Sequence, residues 1–338
     1  MMISNRLFLV FCLLASGLCP AEEWNIGFRN THVFDPMAKS SIEVGLWYPT
    51  KAQPRQETIG ESVLNIALAS EFITSLKGLV VISHGFSGNF LGHRDTAQYL
   101  AGQGYLVATP THPDLPGLQS GNPELDPLVA RPRHVQLTIN ELLYKSGFKN
   151  SLQGKPIGLV GFSLGAYTAL VALGANPDVS RLDAYCKDKA MDMLLCSAQA
   201  KQRFSSIATH LISQPSAEIR GAVLLAPAYG PLFSDTSLEN IEAPIRLFCA
   251  EQDRELDNRY NVEHFEKHIP NAAPTEVIKD AGLFVFMAPC PEALRQAVPY
   301  ICEDAESVDR VEVHQKMNKD IAQFFDSSMN QRTRASKN

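Results

Sequence analysis

One stretch of the sequence constrains the fold more than any other. A short apolar run, residues 156–160, leads into Gly161-Phe162-Ser163-Leu164-Gly165. The run is typical of a buried strand, and residues 166–174, which begin with small side chains, are typical of a helix. A Gly-x-Ser-x-Gly turn between a strand and a helix is the context of a nucleophile elbow, which exposes the serine hydroxyl at the edge of a sheet. The alternative is a chance match in a surface turn, and the flanking strand and helix argue against it. Ser163 is therefore the candidate nucleophile.

Strand and helix patterns alternate along most of the chain. This alternation predicts an α/β fold with a mostly parallel, doubly wound sheet and helices on both faces. The segments expected to form strands are 24–35, 41–48, 79–82, 105–110, 156–160, 219–227, 244–250 and 275–279.

Several segments carry more specific expectations. The alternating pattern of residues 41–49 is typical of a half-buried edge strand, whereas residues 51–61 are polar and irregular. Residues 64–76 are expected to form a short surface helix. Residues 111–132 form a long Pro- and Gly-rich loop where α/β folds place substrate contacts, and residues 308–325 form the closing helix.

The first 21 residues are typical of a secretory signal peptide. Arg6 precedes an apolar run, and small residues end at Ala21, the expected cleavage point. The run is too short to span a bilayer comfortably, so no transmembrane span is expected in the mature chain. We therefore expect an exported protein, periplasmic or secreted. Residues 22–338 are expected to form a single domain, with residues 326–338 as a disordered tail.

Export places five cysteines of the mature chain in an oxidising compartment, where disulfides persist. Short spacings favour the pairs Cys186–Cys196 and Cys290–Cys302, which leaves Cys249 as a buried small hydrophobe in an apolar strand. The spacing lacks the paired C-x-x-C pattern of a zinc site. The net charge of −6 and the absence of a basic stripe argue against a nucleic-acid partner. No cofactor is expected, and the expected partner is a small-molecule ester or a lipid-like substrate.

The residues that complete the site are expected on loops after other strands. In chain order, an elbow serine is followed by an acid and then a histidine. Asp253 follows the strand at 244–250 and is the preferred acid, with Asp257 in reserve and a solvated acidic loop as the alternative. An oxyanion hole needs two backbone N–H groups. We expect these from Leu164, after the nucleophile, and from Phe86, in the loop after the strand at 79–82.

At this point the chain resembles a known family. Six stretches are similar to the bacterial predicted dienelactone hydrolase family, which is related to platelet-activating-factor acetylhydrolases: VGLWYP at 44–49, SHGF at 83–86, GYLV at 104–107, THP at 111–113, GFSLGAYTAL at 161–170 and APCP at 288–291. The resemblance runs from about Asn25 to Phe325. It implies an α/β-hydrolase fold, ester hydrolysis and a Ser-His-Asp triad. True dienelactone hydrolases carry Cys at the elbow, so Ser163 favours a carboxylester hydrolase.

The sequence departs from the family at one position. The family carries its catalytic histidine in an Ala-Gly-His-Phe segment after the last strand, whereas this chain has Ala281-Gly282-Leu283-Phe284. Leucine cannot accept the Ser163 proton, and a serine hydroxyl without a base is a poor nucleophile near neutral pH. By position His112 is the best substitute, and His84 is expected to be a structural residue of its loop.

Two further histidines, His264 and His268, have the i, i+4 spacing that suits a metal. No third ligand is evident in the sequence, so a plain surface helix is the expected role and no metal site is predicted.

Three functions are compatible with these features. The first is an exported serine esterase acting through Ser163, with activity impaired by Leu283. The second is a catalytically weak or inactive pseudo-hydrolase that binds an ester or acyl ligand or a protein partner. The third, a purely structural or interaction protein, is disfavoured because a strained elbow costs stability.

Overall fold

The computed structural model describes residues 24–213, 215–216 and 218–329, and a ten-stranded sheet runs through them. The order of strands across the sheet is β10-β9-β8-β7-β5-β6-β2-β1-β4-β3. In chain order the strands are β1 (Asn25–Asp35), β2 (Ser40–Thr50), β3 (Arg55–Ile59), β4 (Ser62–Leu68), β5 (Leu79–Ser83), β6 (Leu106–Pro110), β7 (Ile157–Phe162), β8 (Ile219–Leu225), β9 (Ile245–Ala250) and β10 (Glu276–Ile278).

The six strands from β10 to β6 are parallel, while β2 is antiparallel to β6 and β1 is antiparallel to β2. β5, β6 and β7 are buried along their whole length, as expected for strands covered on both faces. The predicted α/β class, with a mostly parallel doubly wound sheet, is confirmed. Because parallel strands end at the same edge, the loops after β5, β7 and β9 all leave the sheet on one side.

Thirteen α-helices lie in the described part of the chain. They are α1 (Arg94–Gly102), α2 (Asp114–Gln119), α3 (Pro127–Asn140), α4 (Lys149–Leu152), α5 (Leu164–Ala172), α6 (Leu182–Asp188), α7 (Met193–Cys196), α8 (Ala198–Ile207), α9 (Asp235–Glu239), α10 (Val262–His268), α11 (Glu292–Ala297), α12 (Pro299–Cys302) and α13 (Arg310–Ser328). None of them is long and apolar enough to cross a membrane.

The amino-terminal part of the sheet differs from the sequence prediction. The predicted helix at 64–76 is wrong, because Ser62–Leu68 forms β4 with a burial pattern that largely alternates along the strand. The polar segment before it is not irregular either. Arg55–Ile59 forms β3, which pairs with β4 across a tight turn in which Gly60 has a φ of 56°. β2 is not an edge strand, because β1 covers one side and β6 the other.

Two further boundaries also differ. The expected loop at 111–132 contains α2 and the start of α3, which the Asp126 side chain caps by accepting the N–H of Leu128. The closing helix continues to Ser328, so the tail does not begin at residue 326. Asp326 accepts hydrogen bonds from Lys77 and Tyr105 and fixes this last turn. The predicted signal peptide and residues 330–338 lie outside the described residues.

The cysteine prediction is confirmed. Disulfides join Cys186 to Cys196 and Cys290 to Cys302, with S–S distances of 1.98 and 2.05 Å. Cys249 is a buried free thiol in β9. The first disulfide ties α6 to α7, and the second ties the segment after Leu283 to the end of α12.

Candidate active site

Ser163 lies at the tight turn between β7 and α5. Its backbone has φ 52° and ψ −112°, a conformation that L-residues rarely adopt. The flanking glycines are needed for steric reasons. A Cβ atom at Gly161 would lie 2.3 Å from the carbonyl oxygen of Gly165, and one at Gly165 would lie 1.9 Å from that of Ser83. The turn predicted from the sequence is therefore present, and Ser163 itself adopts its strained backbone conformation.

The backbone of Ser163 is held on both sides by the neighbouring strand β8 and the loop after it. Its N–H donates to Leu225 O at 3.0 Å, and its carbonyl accepts the N–H of Ala228 at 3.4 Å. The side chain is half-buried, and no described residue forms a hydrogen bond with its hydroxyl. The main chain thus fixes the backbone of Ser163, and among the described residues its hydroxyl has no hydrogen-bond partner.

Two backbone N–H groups near this turn are also free. Leu164 is the first residue of α5, so its N–H has no intrahelical acceptor. Phe86 lies in the loop after β5, and its side chain is 49% exposed. Within residues 24–213, 215–216 and 218–329, no acceptor takes the N–H of either residue. These are the two groups expected to bind an oxyanion.

A buried ion pair, not foreseen from the sequence, fixes the Phe86 loop. Arg131 in α3 donates from Nε to Asp114 Oδ1 at 2.8 Å and from its Nη2 atom to Gly85 O at 2.9 Å. Asp114 Oδ2 accepts the N–H of Ser87 at 2.8 Å. Both side chains are almost completely buried. The two residues flanking Phe86 are therefore bound to one charged pair, which limits how far the Phe86 N–H can turn.

His112 forms no hydrogen bond with Ser163 and belongs instead to a buried chain of hydrogen bonds under the same loop. Its Nε2 lies 3.0 Å from Ser83 Oγ, and its Nδ1 lies 3.2 Å from His134 Nδ1. His134 Nε2 lies 3.1 Å from Asp35 Oδ2. Because the carboxylate only accepts, His134 donates to it, His112 donates to His134, and Ser83 donates to His112.

Both nitrogens of His112 are therefore occupied. Burial, followed by the nearby Arg131 charge, lowers the pKa of His112 well below its usual 6.5. His84 is structural, as expected: its Nδ1 bonds Gly85 O, and its Nε2 accepts the backbone N–H of His112. Neither ring is free to act as a base for Ser163.

Asp253 lies in the loop after β9, at the position expected for the acid. Its Oδ1 accepts the N–H groups of Glu255 and Leu256, each at 2.9 Å. Its Oδ2 is buried and has no hydrogen-bond partner among the described residues. Burial raises the pKa of this carboxyl, although its two backbone hydrogen bonds oppose the rise. A buried carboxylate oxygen without a hydrogen-bond donor is energetically costly, so we expect a donor to bind at this oxygen.

Asp257, the reserve acid, faces other partners. Its Oδ2 lies 2.8 Å from Lys189 Nζ and 3.1 Å from the Arg259 guanidinium. Burial raises the pKa of Asp257, but its hydrogen bonds to Arg259 and Lys189 together outweigh that effect and lower the pKa to about 2. Asp257 is therefore a surface ion-pair residue in this structure.

Leu283 begins a short 3₁₀ turn, Leu283–Phe286, after β10. The segment is adjacent to the Asp253 loop, since the N–H of Gln252 donates to Ala281 O at 2.8 Å. The Leu283 side chain is half-buried and packs against the core. The turn expected to carry the base thus lies next to the loop of Asp253, the expected acid, and it carries an isobutyl group.

Two other histidines lie behind this turn. His314 in α13 bonds Val285 O at 2.7 Å through Nε2 and Asp95 through Nδ1. The His93 ring packs against the Phe162 ring, with their centroids 5.4 Å apart. All nine histidines are described, and none forms a hydrogen bond with Ser163.

The family of the chain follows from comparison with known proteins. Residues 79–297, about two-thirds of the chain, match the model of the Alpha/beta hydrolase family. The chain belongs to this family. The comparison with curated proteins found no match.

Two solved structures resemble the fold. A predicted CIB-like hydrolase from Thermoplasma acidophilum is 11% identical, with a TM-score of 0.46 over 88% of this chain and 100% of that one. The esterase Pf2001 from Pyrococcus furiosus is 12% identical, with a TM-score of 0.46 over 90% of this chain and 93% of that one.

Proposed function

We propose that this chain is a serine carboxylester hydrolase that acts slowly through an acyl-enzyme on Ser163. The observation that carries the proposal is the strained Ser163 backbone beside two free N–H groups. Strain of this kind costs on the order of 1–3 kcal/mol and persists where function requires it. A chain that kept only the scaffold has no reason to retain it.

The proposed reaction needs four events at the turn. The Ser163 oxygen attacks the ester carbonyl carbon, and the N–H groups of Phe86 and Leu164 stabilise the resulting oxyanion. The carbon–oxygen bond to the alcohol then breaks, solvent water protonates the departing alkoxide, and an acyl group is left on Ser163. Water hydrolyses this second ester and regenerates the hydroxyl.

The reaction lacks a base that accepts the Ser163 proton. With Leu283 beside Asp253, no described side chain accepts that proton, so it passes to solvent water. Loss of the base alone costs on the order of 10⁶-fold in turnover in a serine protease of another fold. Slow hydrolysis is therefore the expected behaviour.

A second candidate is an ester- or acyl-binding pseudo-hydrolase without turnover. The observation that favours it is the unpartnered Asp253 Oδ2, which has no imidazole to orient. In that case the same N–H groups would hold an ester carbonyl, and the Ser163 hydroxyl would only contact it.

The finer assignments rest on the sequence. The motifs at 83–86, 161–170 and 288–291 support the dienelactone hydrolase and platelet-activating-factor acetylhydrolase relationship, and hence a small ester or lipid-like substrate. The two disulfides support export to the periplasm or the medium. Mass spectrometry of the mature amino terminus tests the expected cleavage after Ala21.

One assay separates the two functions. Hydrolysis of short p-nitrophenyl esters is measured on the purified protein, with Ser163→Ala as the blank. The proposal expects a slow rate that Ser163→Ala abolishes. Equal rates in both proteins would refute an esterase, and saturable binding of the unhydrolysed ester would then support the pseudo-hydrolase.

A further inference from the structure

A cluster of metal-ligating side chains lies outside the site described above. It consists of Asp235 at the start of α9 and of His264 and His268 in α10. One donor atom from each residue can be chosen so that all three lie within 4.8 Å of one another. The two histidines are one helical turn apart and therefore share a face of α10. The third group, which the sequence did not reveal, comes from a different helix.

The hydrogen bond of His264 leaves one ring nitrogen available to a metal. Its Nε2 lies 3.0 Å from Phe233 O, so in the neutral ring Nε2 carries the proton and Nδ1 keeps a lone pair. Metal-binding histidines commonly donate their second N–H to a backbone carbonyl in this way, which fixes the tautomer.

His268 and Asp235 face each other without bonding. His268 Nε2 lies 3.6 Å from Asp235 Oδ1, beyond hydrogen-bond distance. Ligands of a tetrahedral zinc ion, bound at 2.0–2.2 Å, lie about 3.3–3.6 Å apart. This pair therefore already has about the separation that a shared cation requires, and a ligand atom of His264 lies within 4.8 Å of both.

We propose that Asp235, His264 and His268 bind a divalent transition cation of the Zn²⁺ class, with water as the remaining ligand. Two imidazoles and one carboxylate suit Zn²⁺, Cu²⁺ or Ni²⁺, whereas Ca²⁺ takes six to eight oxygen ligands and Mg²⁺ prefers oxygen. The proposal does not depend on ester hydrolysis, because none of the three side chains forms a hydrogen bond or ion pair with Ser163 or Asp253.

The ion would join α9 to α10. Phe233, whose carbonyl oxygen accepts the hydrogen bond from His264, follows the loop whose Ala228 N–H donates to Ser163 O. A bound cation would therefore brace the far end of the loop that supports the elbow, so its expected role is structural.

The test is Zn²⁺ titration of the purified chelator-treated protein by isothermal calorimetry, with Mg²⁺ and Ca²⁺ as comparison ions. We expect one Zn²⁺ per chain and no binding of Mg²⁺ or Ca²⁺. His268→Gln and Asp235→Asn should each weaken binding by at least about 10-fold, the lower end of what even supporting residues contribute to metal affinity. His32→Gln, which changes an exposed histidine elsewhere, is the matched control and should bind as the parent does.

A second measurement covers variants that fold poorly. Zn²⁺ binds only the assembled cluster, so it should raise the Tm of the parent and of His32→Gln by a few degrees but leave His268→Gln unchanged. Absence of one-to-one binding in the folded parent would overturn the proposal. Equal binding by the double variant His264→Gln/His268→Gln would do so as well. Neither result depends on esterase activity.

Discussion

Restoring an imidazole at residue 283 should create or strengthen ester hydrolysis. The substitution Leu283→His places a ring on the 3₁₀ turn beside Asp253. There, one nitrogen can take the Ser163 proton, and the other can donate to the carboxylate. Asp253 Oδ2 is buried and lacks a donor, so the new ring would satisfy a group that is already in place. Leu and His are similar in volume, and Leu283 is only half-buried, so little repacking is expected.

The expected gain is at least about 10²-fold in hydrolysis of short p-nitrophenyl esters, the lower end of what general-base catalysis contributes. Leu283→Asn, polar but unable to act as a base, is the matched control and should not increase the rate. In the Leu283→His background, Asp253→Ala should remove most of the gain. Asp257→Ala should not, because Lys189 and Arg259 already pair with Asp257. A folded Leu283→His protein that hydrolyses the esters no faster than the parent would show that residue 283 is not the position from which a base reaches Ser163.

Three further predictions concern stability, each measured by urea unfolding. Replacing Cys290 and Cys302 by Ser should lower the free energy of unfolding by about 2–4 kcal/mol, and an unchanged value would argue against the disulfide. Arg131→Leu should cost about 3–5 kcal/mol, because it leaves Asp114 buried without its cation, and the double variant Arg131→Leu/Asp114→Leu should be less destabilised than Arg131→Leu alone. Burial lowers the pKa of His93 from its usual 6.5 to about 4. On acidification the unfolded chain therefore protonates His93 before the folded chain does, and the free energy of unfolding falls as the pH drops from 6.5 to 4. His93→Gln should reduce that fall by about 3 kcal/mol, and the same fall in both proteins would contradict the assignment.

The sequence predicted the elbow because its information is local. Gly161 and Gly165 are required by backbone contacts within a few residues, and a continuous apolar run before a small-residue helix has few other structures available. The disulfides were predictable for a related reason, since short loops bring their ends together at little entropic cost. The elbow, the parallel sheet and both cysteine pairs therefore agree with the structure.

The features that the sequence did not predict correctly depend on contacts between segments that are distant along the chain. Ser62–Leu68 has apolar residues that suit a short helix, but pairing with β1 and β3 decides its conformation. The Arg131–Asp114 pair and the third member of the metal cluster, Asp235, also depend on which loops the sheet brings together. No local pattern marks such residues, whereas the missing imidazole at Leu283 was visible because the surrounding motif is intact.

The proposal that Ser163 is the reacting group is tested most directly by its labelling rate with a fluorophosphonate, followed by intact-mass spectrometry and peptide mapping. Phosphonylation requires the serine oxygen, the oxyanion donors and, for speed, a base. We predict a single adduct on the Ser163 peptide that forms slowly in the parent and at least about 10²-fold faster in Leu283→His. Rapid labelling of the parent at Ser163 would show that another group activates the hydroxyl, and labelling only at other residues would contradict the site itself.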